Sequence, residues 1–255
     1  MIHPTAIVHK NAEIDSGVNI GPYCIIENNV KIKKGTKLIG HVVIQGGTEI
    51  GENCTISPFA SIGGPPQDIT YRGEDTTLTI GDNNIIKEYV TINRGTKSSG
   101  GITKVGNGNF LMAYVHIAHD CKVGNDVIMA NSATLAGHVE IEDFVIFGGL
   151  CAVHQFCKIG KYAFISGLTG VPKDVPPFVI AAGNRAKLYG LNVVGLERHS
   201  FSKEEITKLK KAYKILFRSS LPLTTSLKII REELEGKHIN ELIDFIKSSK
   251  RGICR

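Results

Sequence analysis

Four histidines and one aspartate pose the first chemical question in this sequence. The run His116-Ile117-Ala118-His119-Asp120 puts two imidazoles and a carboxylate within five residues, and Gly137-His138 and His154-Gln155 follow downstream. An imidazole titrates near neutral pH, so it can take a proton from a hydroxyl and pass it on. A carboxylate beside it can hold its tautomer, as Asp120 could for His119. A glycine leaves its backbone N–H open to a developing oxyanion, as Gly137 could. The set therefore suits general-base catalysis, provided the fold brings these segments together.

The element that must do so is a repeat. Every sixth residue from Ile2 to Ile62 is apolar: Ile2, Val8, Ile14, Ile20, Ile26, Ile32, Leu38, Ile44, Ile50, Ile56 and Ile62. The frame pauses over 63–79, resumes at Ile80, Ile86 and Ile92, and slips by one residue over 94–104. It then runs unbroken from Val105 to Val171. A period of six fits neither a helix nor an alternating strand. It fits a short strand and a tight turn, repeated so that one large side chain always points inward. Three units would close a triangular coil of 18 residues. Stacked coils pair their backbones about 4.8 Å apart, which is a parallel β-helix. Cys24, Cys54, Cys121, Cys151 and Cys157 all fall four residues after the inward position, where a small buried hydrophobe is expected and a disulfide is not.

The stack is expected to end at Val175-Pro176-Pro177-Phe178. Ser202-Lys203-Glu204-Glu205 reads as a capping box, and Ile206, Leu209, Tyr213, Leu216 and Phe217 lie on one helical face beyond it. Leu227, Ile230 and Leu234 mark a second helix, and Ile239, Leu242, Ile243 and Ile246 a third. The expected organisation is a β-helix over 1–184, with loop insertions near 63–79 and 94–104, and a small α-helical domain over 185–255. That domain carries 16 of the 30 Lys and Arg but 8 of the 24 Asp and Glu, a net +8, against −2 for the coil. The excess suits docking of an acidic partner. Nucleic acid is not expected, since the basic stretch lacks interleaved aromatics. No run of apolar residues is long enough for a membrane span. The segment Met1-Ile2-His3-Pro4-Thr5 lacks the features of a secretory signal, so the expected location is cytoplasmic.

In an 18-residue frame, residues 119, 137 and 155 form one column, reading His119, Gly137 and Gln155. Together with His116, His138, His154 and Asp120 they make a patch over three coils. Four uses remain open from the residues alone: general-base catalysis, a zinc site such as that of hexapeptide-repeat carbonic anhydrases, acyl transfer from coenzyme A, and a β-helix serving only as a spacer.

The segments His116-Ile117-Ala118-His119-Asp120-Cys121, Leu135-Ala136-Gly137-His138-Val139 and Ala152-Val153-His154-Gln155-Phe156 resemble, together and in order, the acyl-ACP–UDP-N-acetylglucosamine O-acyltransferases. So do Pro66-Gln67-Asp68, Thr91-Ile92-Asn93-Arg94-Gly95-Thr96, Asp174-Val175-Pro176-Pro177 and Gly190-Leu191-Asn192. The resemblance implies a mainly β fold, with a left-handed parallel β-helix followed by a small α-helical domain. It implies transfer of a 3-hydroxyacyl chain from acyl carrier protein to the glucosamine 3-position of UDP-N-acetylglucosamine, the first step of lipid A biosynthesis. An alternative is transfer to the amine of a 3-amino analogue. It further implies His119 as general base, Asp120 as its partner and the Gly137 N–H as oxyanion donor. Gln67, Asp68, His116, His138, His154 and Gln155 match sugar- and acyl-contacting positions. Asn192 and Arg198 match positions that hold uridine and phosphate groups. Gly167 matches an acyl-chain stop, and on the stacking frame it is expected two coils above the His119 region. No metal or cofactor is expected, the donor being acyl carrier protein with its own phosphopantetheine, and the expected assembly is a homotrimer. Thr70 stands where many members have Lys, and Val194 where some have Glu.

Overall fold

Each inward residue of the six-residue period ends or closes a strand of two to four residues, after which the chain turns a corner. The computed structural model describes residues 1–255. Three parallel sheets of nine, eight and ten strands form the sides of a triangular prism; only the last strand of the third sheet runs antiparallel. The first sheet pairs Ile7 with Ile25, Ile25 with Val43 and Val43 with Ser61. The step widens to Thr91 and then to His116, and returns to 18 residues through Thr134, Ala152 and Gly170.

The inward residues form the core. Ile26, Ile32, Ile44, Ile50, Ile56 and Ile62 are buried, as are Leu111, Ile117 and Leu135 further along. The five in-frame cysteines and Cys254 are all free and buried. Burial pushes the Cys121 thiol up to about 12, so it packs as a small apolar side chain.

The two wide steps are the repeat's interruptions. Their chain leaves between strands Ser61–Gly64 and Thr77–Ile80, and again between Thr91–Asn93 and Ile102–Val105. Strand structure therefore already resumes within the segments expected as loops. Both insertions leave the same corner, between the first and second sheets. Arg94 ties them together, donating from Nη1 to Gly63 O at 3.0 Å and from Nη2 to Tyr71 Oη at 2.9 Å.

A different corner, between the third and first sheets, carries an exposed ladder of rings. Tyr23, His41, Phe59, Tyr89 and Tyr114 stack at 4.9–5.1 Å between neighbouring centroids. Leu150 and Leu168, 62% and 70% exposed, carry an apolar face upward from there.

At the top, strand Val179–Ala182 extends the third sheet and folds back on Lys187–Leu191. Strand structure thus runs past the boundary expected at 184, because this hairpin covers the open end of the coil. The helices follow: α1 (Val193–Arg198), α2 (Lys203–Phe217), α3 (Leu223–Glu233) and α4 (Lys237–Ser248). Ser202 and Glu205 form the expected capping box at the start of α2. The chain then returns to the coil, where Asp174 bridges Ile253 and Cys254 N–H donates to Asp174 O at 2.9 Å.

Candidate active site

His119 begins the turn at the corner from which both insertions leave. Stacking there follows the expected column: His138 N–H donates to His119 O at 3.0 Å, and Phe156 N–H to Gly137 O at 3.1 Å. The Gly137 N–H donates to no group of the protein. Asp120, His138 and Phe156 take left-handed backbone, with φ of 60°, 63° and 65°, and so repeat one corner geometry in three successive coils.

His119 Nδ1 lies 2.8 Å from Asp120 Oδ2, with the His119 side chain 13% exposed and that of Asp120 2%. With Asp120 accepting at Nδ1, the proton belongs on Nδ1 and Nε2 is left as a base. Asp120 is itself held: Thr96 N–H donates to Oδ1 at 2.9 Å and Thr96 Oγ1 to Oδ2 at 2.7 Å. The Asp120 N–H donates to Thr103 Oγ1 at 2.8 Å.

His138 stands edge-on to His119, with centroids 5.1 Å apart, and stacks on Phe156 at 4.4 Å. Burial holds its pKa below the ordinary value, against the pull of Asp120. His116 is lowered too, by burial first and then by the charge of His119; its Nδ1 lies 2.7 Å from Thr91 Oγ1. Asp68 is lowered chiefly by hydrogen bonds from Thr70, and His119 and His138 lower it further. Thr70 donates to Asp68 Oδ1 from both its N–H and its hydroxyl, each at 2.8 Å. Thr70 thus orients the neighbouring carboxylate.

His119, Asp120 and His138 could converge on a metal ion, since a ligand atom from each lies within 4.8 Å of the others. Asp120, however, already accepts from three donors.

The remaining expected site residues differ in exposure and in their partners. His154 is exposed, and its ring bonds only to Gln155 O, at 3.2 Å. It lines a cavity of about 850 Å³ with Lys173, Arg185 and Arg251. Gln67 and Gln155 are exposed, with side chains free of protein partners. Asn192 is buried and occupied: it donates to Tyr162 O at 2.9 Å and accepts from Gly195 N–H at 3.2 Å, capping α1. Arg198 is exposed in the last turn of α1, beside His199, which packs on Phe144 and Tyr162 at the third corner. Gly167 lies at the corner between the third and first sheets. Leu168 N–H donates to Gly149 O, Leu150 N–H to Asn131 O and Ser132 N–H to Ala113 O. Gly167 thus stacks over Gly149 and Asn131 as expected, three coils above Ala113, on a different corner from His119. Site residues occupy all three corners of one chain.

Two family descriptions match this chain: "Udp N-acetylglucosamine O-acyltransferase; Domain 2" over residues 174–254, and "Bacterial transferase hexapeptide (six repeats)" over 102–137. The acyl-[acyl-carrier-protein]–UDP-N-acetylglucosamine O-acyltransferase of Thermodesulfovibrio yellowstonii is 61% identical over 255 residues, covering 100% of this chain and 99% of that one. The chain belongs to this family. A solved UDP-N-acetylglucosamine acyltransferase of Francisella novicida is 44% identical with TM-score 0.97, covering 100% of this chain and 94% of that one. The Arabidopsis enzyme is 38% identical with TM-score 0.89, covering 100% of both chains. The fold is the left-handed parallel β-helix of the hexapeptide family with a C-terminal helical domain.

Sequence reasoning did not single out Thr96 and Thr103, which bond Asp120, or Phe156, which stacks on His138. Thr96 lies within a quoted family segment, but nothing local says that it reaches a carboxylate 24 residues on.

Proposed function

We propose that this protein transfers a 3-hydroxyacyl chain from acyl carrier protein to the 3-hydroxyl of UDP-N-acetylglucosamine, opening lipid A biosynthesis in the cytoplasm. The observation that carries this reading is the His119–Asp120 pair, 2.8 Å apart, with the imidazole lying over a glycine whose N–H has no protein partner. His119 Nε2 takes the proton of the sugar hydroxyl as its oxygen attacks the thioester carbonyl carbon. The oxyanion of the tetrahedral intermediate accepts from the Gly137 N–H. The C–S bond then breaks, and His119 returns the proton to the departing thiolate. Asp120 holds the tautomer and offsets the imidazolium charge. His116 and His138, with lowered pKa values, stay neutral and serve as hydrogen-bonding contacts to sugar and acyl group. The donor carries its own phosphopantetheine, and the steps call on no other cofactor.

The protein acts as a homotrimer in this reading. Two observations support it: the site residues lie on three corners of one chain, and an exposed ring ladder runs along one corner, a contiguous apolar patch of the kind that marks interaction surfaces. A neighbouring copy would bring Gly167, Asn192 and Arg198 toward a different chain's His119.

The test is direct. Purified protein receives acyl carrier proteins of several chain lengths with UDP-N-acetylglucosamine or its 3-amino analogue, and products are identified by mass. An ester on the natural sugar is expected. Product from the amino analogue alone would move the acceptor to nitrogen, and no product with any pair would overturn the reading.

A further inference from the structure

We infer that Thr96 is a positioning residue, holding the Asp120 carboxylate on His119 and off His138. The inference rests on His119 acting as the base. Asp120 lies between two imidazoles: its Oδ2 is 2.8 Å from His119 Nδ1 and 3.8 Å from His138 Nδ1. Nothing in the two rings decides which of them it serves. A small rotation of the carboxylate would hand the oxygen to His138, and His119 would lose the acceptor that keeps its proton on Nδ1. The ring could then carry the proton on Nε2, and that nitrogen could no longer accept one from the sugar hydroxyl.

Thr96 opposes the rotation by reaching both oxygens at once. Its N–H donates to Oδ1 at 2.9 Å and its hydroxyl to Oδ2 at 2.7 Å. Two donors from one residue fix the plane of the carboxylate, so turning it breaks both bonds together. The hydroxyl has one proton, which goes to Asp120. Ser98 Oγ, 3.1 Å from Thr96 Oγ1, can supply the next proton in line and strengthen the chain.

The surrounding segment is built for this. Thr96 O accepts from Gly101 N–H at 2.9 Å and from Ser99 N–H at 3.1 Å, closing the loop on itself. A side chain on Gly95 would collide with Ile102 N. Thr103, on the returning strand, accepts the Asp120 N–H. The second interruption of the repeat is therefore a seat for one buried carboxylate.

The test uses Thr96→Val, which keeps the shape and the backbone N–H but removes the hydroxyl, beside Thr96→Ser, which restores it. For the valine variant, kcat is expected to fall about tenfold to a hundredfold, the scale known for hydrogen-bond partners that orient metal-bound histidines. KM for both substrates should be unchanged, and the serine variant should recover most of the turnover. Imidazole ¹⁵N chemical shifts of the intact protein give a readout independent of turnover: the Nδ1–H population of His119 should drop in the valine variant only. Unchanged ¹⁵N shifts in Thr96→Val, or equal losses in Val and Ser, would overturn the inference. A changed tautomer with full turnover would leave the positioning role standing and count against His119 as the base.

Discussion

Gly137 lies against the face of His119: a methyl on its Cα would meet ring atoms Cε1 at 2.7 Å and Nε2 at 2.9 Å. Its φ is not in the left-handed region, so alanine is acceptable to the backbone and only the ring must move. Gly137→Ala is therefore expected to fold normally and to lose about 10²-fold in kcat, because its methyl displaces the His119 base while the backbone N–H remains. Steady-state kinetics beside a circular dichroism melt checks this. His119→Ala should fold as well and lose transfer altogether. Turnover well above background in that variant would remove the base from the mechanism.

The fold was legible in the sequence because one physical constraint recurs at every sixth residue: Ile26, Ile44 and Ile62 each fill the same slot one coil apart. The His119–Gly137 column followed from the same count. What the count missed has two causes. Residues six apart look alike in the frame but stand one face apart, so the period alone does not say which corner a residue such as Gly167 occupies. The interruptions carry no period at all, so the link from Thr96 to Asp120 left no signal. Asn192, by contrast, could have been read as a helix cap from its type and place.

Stability should fall on the acid side because of the patch itself. Burial, and then the charge of His119, lowers the pKa of His116 from its ordinary value of 6.5; burial lowers His138 likewise. In the folded state these groups bind fewer protons than in the unfolded chain. The stability they permit is therefore full above the unfolded value and is lost as pH falls through and below it. The melting temperature is expected to drop between about pH 7.5 and pH 5.5, and to drop less in His116→Gln. An equal slope in variant and parent would refute the assignment.

Docking of the acidic carrier should depend on Lys210 and Lys214, which share a face of α2 and have no acidic partner within the chain. Two nearby cations are already engaged. Lys211 pairs with Glu233 at 2.8 Å, and Arg218 donates to Leu188 O at 3.0 Å and Tyr189 O at 3.3 Å. Lys210→Glu with Lys214→Glu should raise KM for the carrier several-fold at low salt and flatten its salt dependence. KM for the sugar nucleotide should hold. Lys211→Ala should do less. An unchanged carrier KM at low salt would sink the proposal.

Chain length offers the sharpest test of assembly. Gly167 is exposed; a side chain there would first meet Gly149 O at 3.4 Å, and its φ suits any residue. Gly167→Met should therefore fold. Three coils separate it in height from the turn before His116, about 14 Å at 4.8 Å per coil, a span suited to an acyl chain of roughly a dozen carbons. If Gly167 is a stop, the variant should keep short-chain turnover, near ten carbons, and lose it near fourteen, because the block is steric. Equal loss at every length would point to a misfolded turn. Gly167 and His119 stand on different corners, so the chain must either cross a face of one subunit or pass between two. Hybrid oligomers separate these routes. A Gly167→Met subunit keeps its His119, and a His119→Ala subunit keeps its Gly167. If the acyl chain runs from one subunit's histidine to the next subunit's glycine, co-assembling the two inactive proteins should restore long-chain turnover. If it runs along a single subunit, no mixture should transfer a long chain, and the site would lie within one chain.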